Sequence, residues 1–127
     1  MIKEAISTTN APEALGPYSQ GVKTGNFLFL SGQIGMDPVA KKLVEGGVEA
    51  QAEQIFKNIA AVLKEGGATL DNVVKATVFL KDMGDFKKVN EIYAQKFQKP
   101  FPARSAVAVK ELPLSVDIEI EVIAVLG

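Results

Sequence analysis

Arg104 stands in Phe101-Pro-Ala-Arg-Ser-Ala106, near the start of a predicted strand whose neighbours are small or apolar. A guanidinium in such surroundings needs a partner, because an unpaired buried charge is very costly. It can hold a carboxylate through two parallel hydrogen bonds, a geometry lysine does not offer. An acid of its own chain would satisfy it too, and structural ion pairs outnumber substrate clamps. The second segment is Asp117-Ile-Glu-Ile-Glu-Val-Ile-Ala-Val125. Strand alternation places Ile118, Ile120, Val122 and Ala124 on one face, and Asp117, Glu119, Glu121, Ile123 and Val125 on the other. Acids and aliphatics thus share a face, so a carboxylate there could look into a cleft and orient or deprotonate water. A strand end fraying into solvent explains the pattern as well. Whether Glu119 or Glu121 shares a face with Arg104 depends on the register of the hairpin expected between the two segments.

Weaker candidates surround these. Tyr18 follows Gly16-Pro17 and could present its hydroxyl to a pocket, or simply pack. Ser31-Gly32 could offer a hydroxyl and backbone donors, or only end a strand. Asn90 lies beside the buried stripe of a predicted helix, as a polar contact or a surface amide. The glycine pairs at 46–47 and 66–67 do not match a phosphate-binding loop. Lys41-Lys42 and Lys87-Lys88 read as solvated surface.

What is missing narrows the chemistry further. The 127 residues include no histidine and no cysteine. A Ser-His-Asp triad, thiol nucleophiles, disulfides and zinc-thiolate sites are therefore excluded. A metal would need an all-oxygen cage, no segment reads like a calcium loop, and neither metal nor organic cofactor is expected. Fourteen basic against 15 acidic residues leave a net charge of −1, without the basic footprint of a nucleic-acid binder. No run approaches the roughly 18 apolar residues of a membrane helix. The start, Met-Ile-Lys-Glu-Ala-Ile, lacks the pattern of a secretion signal, and a cytoplasmic location is expected.

The elements that must position these residues follow from periodicity. The length suits one domain over 1–127. Residues 7–18, with two prolines and a glycine, read as a loop. Gly21–Thr24 leads through a Gly25-Asn26 turn into Phe27–Leu30, a strand apolar on both faces. Residues 36–47 read as a polar turn region. Ala52, Ile55, Phe56, Ile59 and Leu63 recur at helical spacing over Glu49–Glu65, and Gly66-Gly67 stops the helix. Val73–Leu80 is a strand by its β-branched and aromatic content. Asp85 is expected to cap a second helix through Phe97 that buries Phe86, Val89, Tyr93 and Phe97. Strands at Ala103–Val109 and Val116–Val125 complete the order β-β-α-β-α-β-β, an α+β domain with two helices on one face of a sheet. Two helices cover one face only, so the other should pack against further subunits.

In order and spacing, six segments resemble the reactive intermediate deaminase family, known as RidA and formerly YjgF. They are Asn10-Ala-Pro-Glu-Ala-Leu-Gly-Pro-Tyr-Ser-Gln-Gly21, Leu30-Ser-Gly-Gln33, Val74-Lys-Ala-Thr-Val-Phe-Leu-Lys-Asp82, Asp85-Phe-Lys-Lys-Val-Asn-Glu-Ile-Tyr93, Phe101-Pro-Ala-Arg-Ser105 and Val116-Asp-Ile-Glu-Ile-Glu-Val-Ile-Ala124, and they span nearly the whole chain. The resemblance implies a chorismate-mutase-like (YjgF-type) α+β fold with a mixed sheet. It also implies a homotrimer with a central barrel-like core and clefts between subunits. The implied activity is cofactor-independent hydrolysis of 2-iminobutanoate, 2-iminopropanoate and enamines such as 2-aminoacrylate, products of pyridoxal-phosphate enzymes acting on threonine or serine. Within that pattern Arg104 binds the substrate carboxylate, Glu119 is linked to the attacking water, and Tyr18, Ser31, Gly32 and Asn90 fall at or near the cleft. Many members carry cysteine two positions after the arginine. Here Ala106 leaves only its backbone, and thiol chemistry is impossible. Two rival functions are an endoribonuclease that inhibits translation and a non-catalytic carboxylate-binding or chaperone-like protein.

Overall fold

Val48, Ala52, Ile55, Phe56, Ile59, Val62 and Leu63 form a continuous buried stripe, which is why Gly47–Glu65 folds as a helix, α1, against a sheet rather than alone in water. Its end is a Schellman motif. The Gly67 N–H donates to the Lys64 carbonyl and the Ala68 N–H to the Leu63 carbonyl, with Gly67 at φ 87° supplying the left-handed residue.

In this computed structural model, which describes residues 2–127, the strands are β1 (Glu4–Ile6), β2 (Gly21–Thr24), β3 (Phe27–Leu30), β4 (Met36–Asp37), β5 (Lys42–Leu43), β6 (Val73–Leu80), β7 (Ala103–Ala108) and β8 (Ile118–Val125), with a second helix, α2 (Phe86–Lys96), between β6 and β7. The six-stranded sheet has the order β1-β2-β3-β8-β6-β7, and β4 pairs with β5 apart from it. All pairings in the large sheet are antiparallel except β6 with β7. The segment β6-α2-β7 is thus a parallel crossover unit, its helix laid over the sheet beside α1.

The sequence expectations hold for both helices, for the Gly25-Asn26 turn, where Thr24 pairs with Phe27, and for the four strands proposed from β-branched and apolar content. Three details are corrected. First, β7 and β8 do not form a hairpin, because β6 lies between them. Second, Asp85 makes no side-chain cap to α2. Asp82 caps the preceding 3-10 turn instead, its Oδ1 accepting from the Gly84 N–H at 2.8 Å. Third, β1 extends the sheet beyond the expected set, and the polar region at 36–47 contains the small β4–β5 hairpin.

One face of the sheet is packed and the other bare. Leu28, Leu30, Ala76, Val78, Leu80, Ile118, Ile120, Val122 and Ala124 meet the helices and are buried. On the opposite side Phe27 and Phe29, stacked on each other, remain 47% and 44% exposed. A cleft of about 280 Å³ opens there between Phe29, Lys75, Thr77, Glu121 and Ile123. No helix is long and apolar enough to cross a membrane. Ile120, fully buried at the centre of the packed face, sets the expected cost of core loss. Ile120→Ala should lower unfolding free energy by about 3 kcal/mol in a denaturant titration, and a change under about 1 kcal/mol would contradict this packing.

Candidate active site

Arg104 pairs in register with Ala76, so its side chain leaves β7 on the helix-covered side. It lies over α2, where Phe86, Asn90 and Tyr93 occupy one helical face at spacings of four and three. The guanidinium carbon sits 5.2 Å from the Phe86 ring centroid and 4.7 Å from that of Tyr93, within cation–π range of both. One N–H group donates to Asn90 Oδ1 at 2.7 Å. Among the described residues no carboxylate of the chain lies within ion-pair distance of Arg104; the ion pair found joins Lys96 and Glu53. The alternative of a structural pair within the chain is therefore not realised. Asn90 and the aromatic shelf restrain the guanidinium without neutralising it, and the rest of its donor fork stays free for a bidentate anion. Tyr93 is buried with its hydroxyl unpartnered, and that burial pushes its pKa up while the Arg104 charge pulls the other way. Ala106 follows on the same side of β7, opposite Val78.

Glu119 belongs to a different surface. It pairs with Phe79 in β8–β6 and projects from the bare face together with Glu121, which pairs with Thr77. It is half-buried, and burial first, then the neighbouring Glu121 charge, holds its carboxyl above the usual range. Gly32 lies directly against it: a Cβ added there would collide with the Glu119 carboxylate. This approach is fixed by the two-way bridge just beyond, where Gln33 N–H donates to the Ile120 carbonyl at 2.8 Å and Ile120 N–H to the Gln33 carbonyl at 3.1 Å. The alternation of β3 carries Ser31 towards the same side. Ser31 joins the loop that bears Tyr18, its N–H donating to the Gln20 carbonyl at 3.0 Å and its hydroxyl to the Ser19 carbonyl at 2.6 Å. Tyr18 itself is largely exposed.

The candidates thus form two groups, Arg104, Asn90 and Ala106 on one side, Ser31, Gly32 and Glu119 on the other, with Tyr18 on the loop tied to the second. The chain brings the members of each group together and does not bring the groups together. Sequence reasoning missed three contributors. Phe86 and Tyr93 had been assigned to the core alone, although their spacing with Asn90 marks one helix face. Gln20 is buried and staples the Tyr18 loop, accepting from Thr8 N–H at 2.7 Å and donating to the Thr8, Ala11 and Pro12 carbonyls at 3.0, 3.3 and 2.7 Å. Nothing in the sequence separates it from a surface glutamine. Among the described residues no group of three or more Asp or Glu side chains could hold a metal ion.

A mixed sheet with both helices on one face, and acid and arginine on separate sides, is the chorismate-mutase-like, YjgF-type class of α+β protein. The chain belongs to the family described as Endoribonuclease L-PSP, whose model matches residues 8–126. It is 50% identical over 127 residues to human 2-iminobutanoate/2-iminopropanoate deaminase, covering 100% of this chain and 93% of that protein. With the chloroplastic Reactive Intermediate Deaminase A of Arabidopsis thaliana it shares 53% identity over 124 residues, covering 98% of this chain and 66% of the relative. Among solved structures, RidA from the Antarctic bacterium Psychrobacter superposes with a TM-score of 0.93 at 46% identity, over 97% of this chain and 99% of that one.

The raised pKa of Glu119 has a measurable consequence. The folded protein binds this proton more tightly than the unfolded chain does, so the group favours folding below the ordinary glutamate range. That contribution disappears as pH rises through the folded-state value. Replacing Glu119 with Gln should flatten this part of the stability–pH curve above the ordinary glutamate value of about 4.3 and leave the variant relatively more stable once wild-type Glu119 has ionised. Parallel curves for the two proteins would show that Glu119 is not desolvated.

Proposed function

We propose that this protein is a 2-iminobutanoate/2-iminopropanoate deaminase, hydrolysing reactive imine and enamine acids to 2-keto acids and ammonia. The observation that carries this reading is Arg104, a guanidinium oriented by Asn90, Phe86 and Tyr93 yet left without an anion of its own. A small carboxylate is the partner its free donors fit. Full-length relatives at about half identity that bear the deaminase name support the same activity.

The work asked of the enzyme is modest because a protonated imine carbon is already electrophilic. Arg104 fixes the carboxylate, and Glu119 aligns and deprotonates a water about 3 Å from the imine carbon. The water oxygen bonds to that carbon while the C=N π pair moves to nitrogen, giving a carbinolamine. After proton transfer to nitrogen, the C–N bond breaks, its electron pair leaves with ammonia, and the carbonyl forms. The sum is iminium acid plus water to 2-keto acid plus ammonium. A Glu119 carboxyl held high by burial is a stronger base once ionised than an exposed one. Tyr18, exposed at the loop tip, supplies a hydroxyl for the proton transfer, and the Ala106 backbone lies beside the carboxylate position.

Since Arg104 and Glu119 leave opposite faces of one sheet, the site in this reading closes between subunits. A homotrimer does this, covering the bare face with its Phe27 and Phe29 and forming a barrel-like core. We place the enzyme in the cytoplasm beside the pyridoxal-phosphate enzymes that release its substrates. Net charge −1 offers little of the phosphate attraction on which RNA binding depends.

The test is timed keto-acid release from imines generated by threonine dehydratase. Wild-type protein should accelerate release, and Arg104→Ala should lose about 100-fold of that acceleration, the worth of a charge-assisted pair. Unchanged acceleration in the variant would remove Arg104 from the mechanism. A wild-type protein without any effect would favour a non-catalytic binder.

A further inference from the structure

Two buried amides on α1 reach the two segments that carry Gly32 and Glu119. Gln51 and Asn58 stand seven residues apart, so two turns of helix set them on one face. They are 9% and 0% exposed, and polar groups so placed are costly unless hydrogen-bonded. Asn58 serves the segment after β3. Its Nδ2 donates to the Ile34 and Met36 carbonyls at 3.3 and 2.9 Å, and its Oδ1 accepts from Gln54 at 2.9 Å. Gln51 serves the start of β8. Its Nε2 donates to Asp117 Oδ2 and its Oε1 accepts from the Asp117 N–H, each at 3.0 Å.

Gln51 also touches the first segment. A Cβ added to Gly35 would lie 2.7 Å from the Gln51 Cα, so the chain passes the helix at a distance that only glycine allows. One residue of α1 thus meets both arms of the structure that ends at Glu119. Between these anchors the arms are tied to each other by the Gln33–Ile120 bridge. In front of the bridge, Gly32 abuts the Glu119 carboxylate. Glu119 leaves β8 on the face away from Ile120 and the helices, so α1 reaches it only through backbone. The buried apolar stripe of α1 does not itself require an amide at position 51.

On the deaminase reading, Glu119 aligns the attacking water, and a displacement of about 1 Å is enough to impair such a step. We propose that Gln51 is a positioning residue for Glu119, acting through Asp117 on one arm and Gly35 on the other and touching no substrate. Its two hydrogen bonds fix both the backbone and the side chain of Asp117, two residues before the acid. Asn58 holds the opposite arm two and four residues beyond Gly32. The contact between Gly32 and Glu119 is therefore set from behind the sheet.

The first experiment is steady-state kinetics of imine hydrolysis. Gln51→Met keeps the length of the side chain, removes both hydrogen bonds and adds no charge. It should lower kcat about tenfold and leave KM within about twofold, because Arg104 is untouched. A role in stability alone would lower the unfolding temperature and leave kcat unchanged well below it, and that result would overturn the proposal. Reversing the polarity of the pair is the rescue. Gln51→Glu sets two carboxylates against each other. Adding Asp117→Asn lets the introduced carboxylate accept from the introduced amide and from the same backbone N–H. Low kcat in the single variant and restored kcat in the double variant are expected; equal kcat in the two would contradict the assignment. This comparison decides the matter should Gln51→Met not fold.

The second readout needs no substrate. Carbon NMR follows the titration of the Glu119 carboxyl, which burial and then Glu121 hold above the usual range in the wild type. Released from its place against Gly32, it should titrate closer to the ordinary glutamate value in Gln51→Met. Coinciding titrations would overturn the proposal. A wild-type protein that does not accelerate imine hydrolysis would remove the deaminase reading, and the carboxyl titration would still decide whether Gln51 places Glu119.

Discussion

Side chains on a strand alternate between the two faces of its sheet, and in this protein that rule separates the two groups with the most to contribute. Arg104 shares its face with Ala76, Val78 and the helices. Glu119 shares its own with Phe79, Thr77 and Glu121. With β6 lying between β7 and β8, the two side chains leave the sheet on opposite faces and two strands apart. The same geometry leaves Phe27 and Phe29 half-exposed on the acid's side. One covering partner would therefore address both facts: it buries the aromatic face and brings a second arginine to the first carboxylate. On the proposed reading, assembly and chemistry are a single requirement.

Each half of the site is prepared in its own way. Around Arg104, two rings and one amide oxygen fix the plane of the guanidinium while leaving its charge unspent. An internal carboxylate would orient it as well but would compete with substrate. Around Glu119, burial and the nearby Glu121 raise the energy of the ionised form. A cation arriving at such a carboxylate would relieve that cost. In the proposed mechanism neither half depends on histidine, which the chain lacks.

Much of this was legible beforehand where local pattern decides structure. The α1 stripe, the Gly66-Gly67 stop and the alternation of β8 all rest on neighbours close in sequence. The arrangement of β6, β7 and β8 was misread because strands adjacent in sequence pair by default as hairpins. The strand-helix-strand order of β6-α2-β7, with short connections, already pointed to a parallel crossover that sets β7 on the far side of β6. Asp82 and Asp85 stand three residues apart, and either could cap a turn; only the backbone geometry chooses Asp82. Gln20 and the Ser19 carbonyl were beyond reach, since a buried amide and a backbone acceptor carry no signature in composition or spacing. The resemblance to the deaminase family supplied the candidate site residues and the expectation of clefts between subunits; which candidates leave which face of the sheet comes from the register of β6 with β7 and β8.

The most direct measurement is subunit complementation. Arg104→Ala and Glu119→Gln chains, each inactive alone, are unfolded together in equal amounts and refolded into mixed oligomers. If every site takes its arginine from one chain and its glutamate from a neighbour, random mixing rebuilds about one quarter of the sites with both groups intact, and imine hydrolysis returns to about that fraction of wild type. A mixture as inactive as its two components would place both groups within one chain's site and contradict the account.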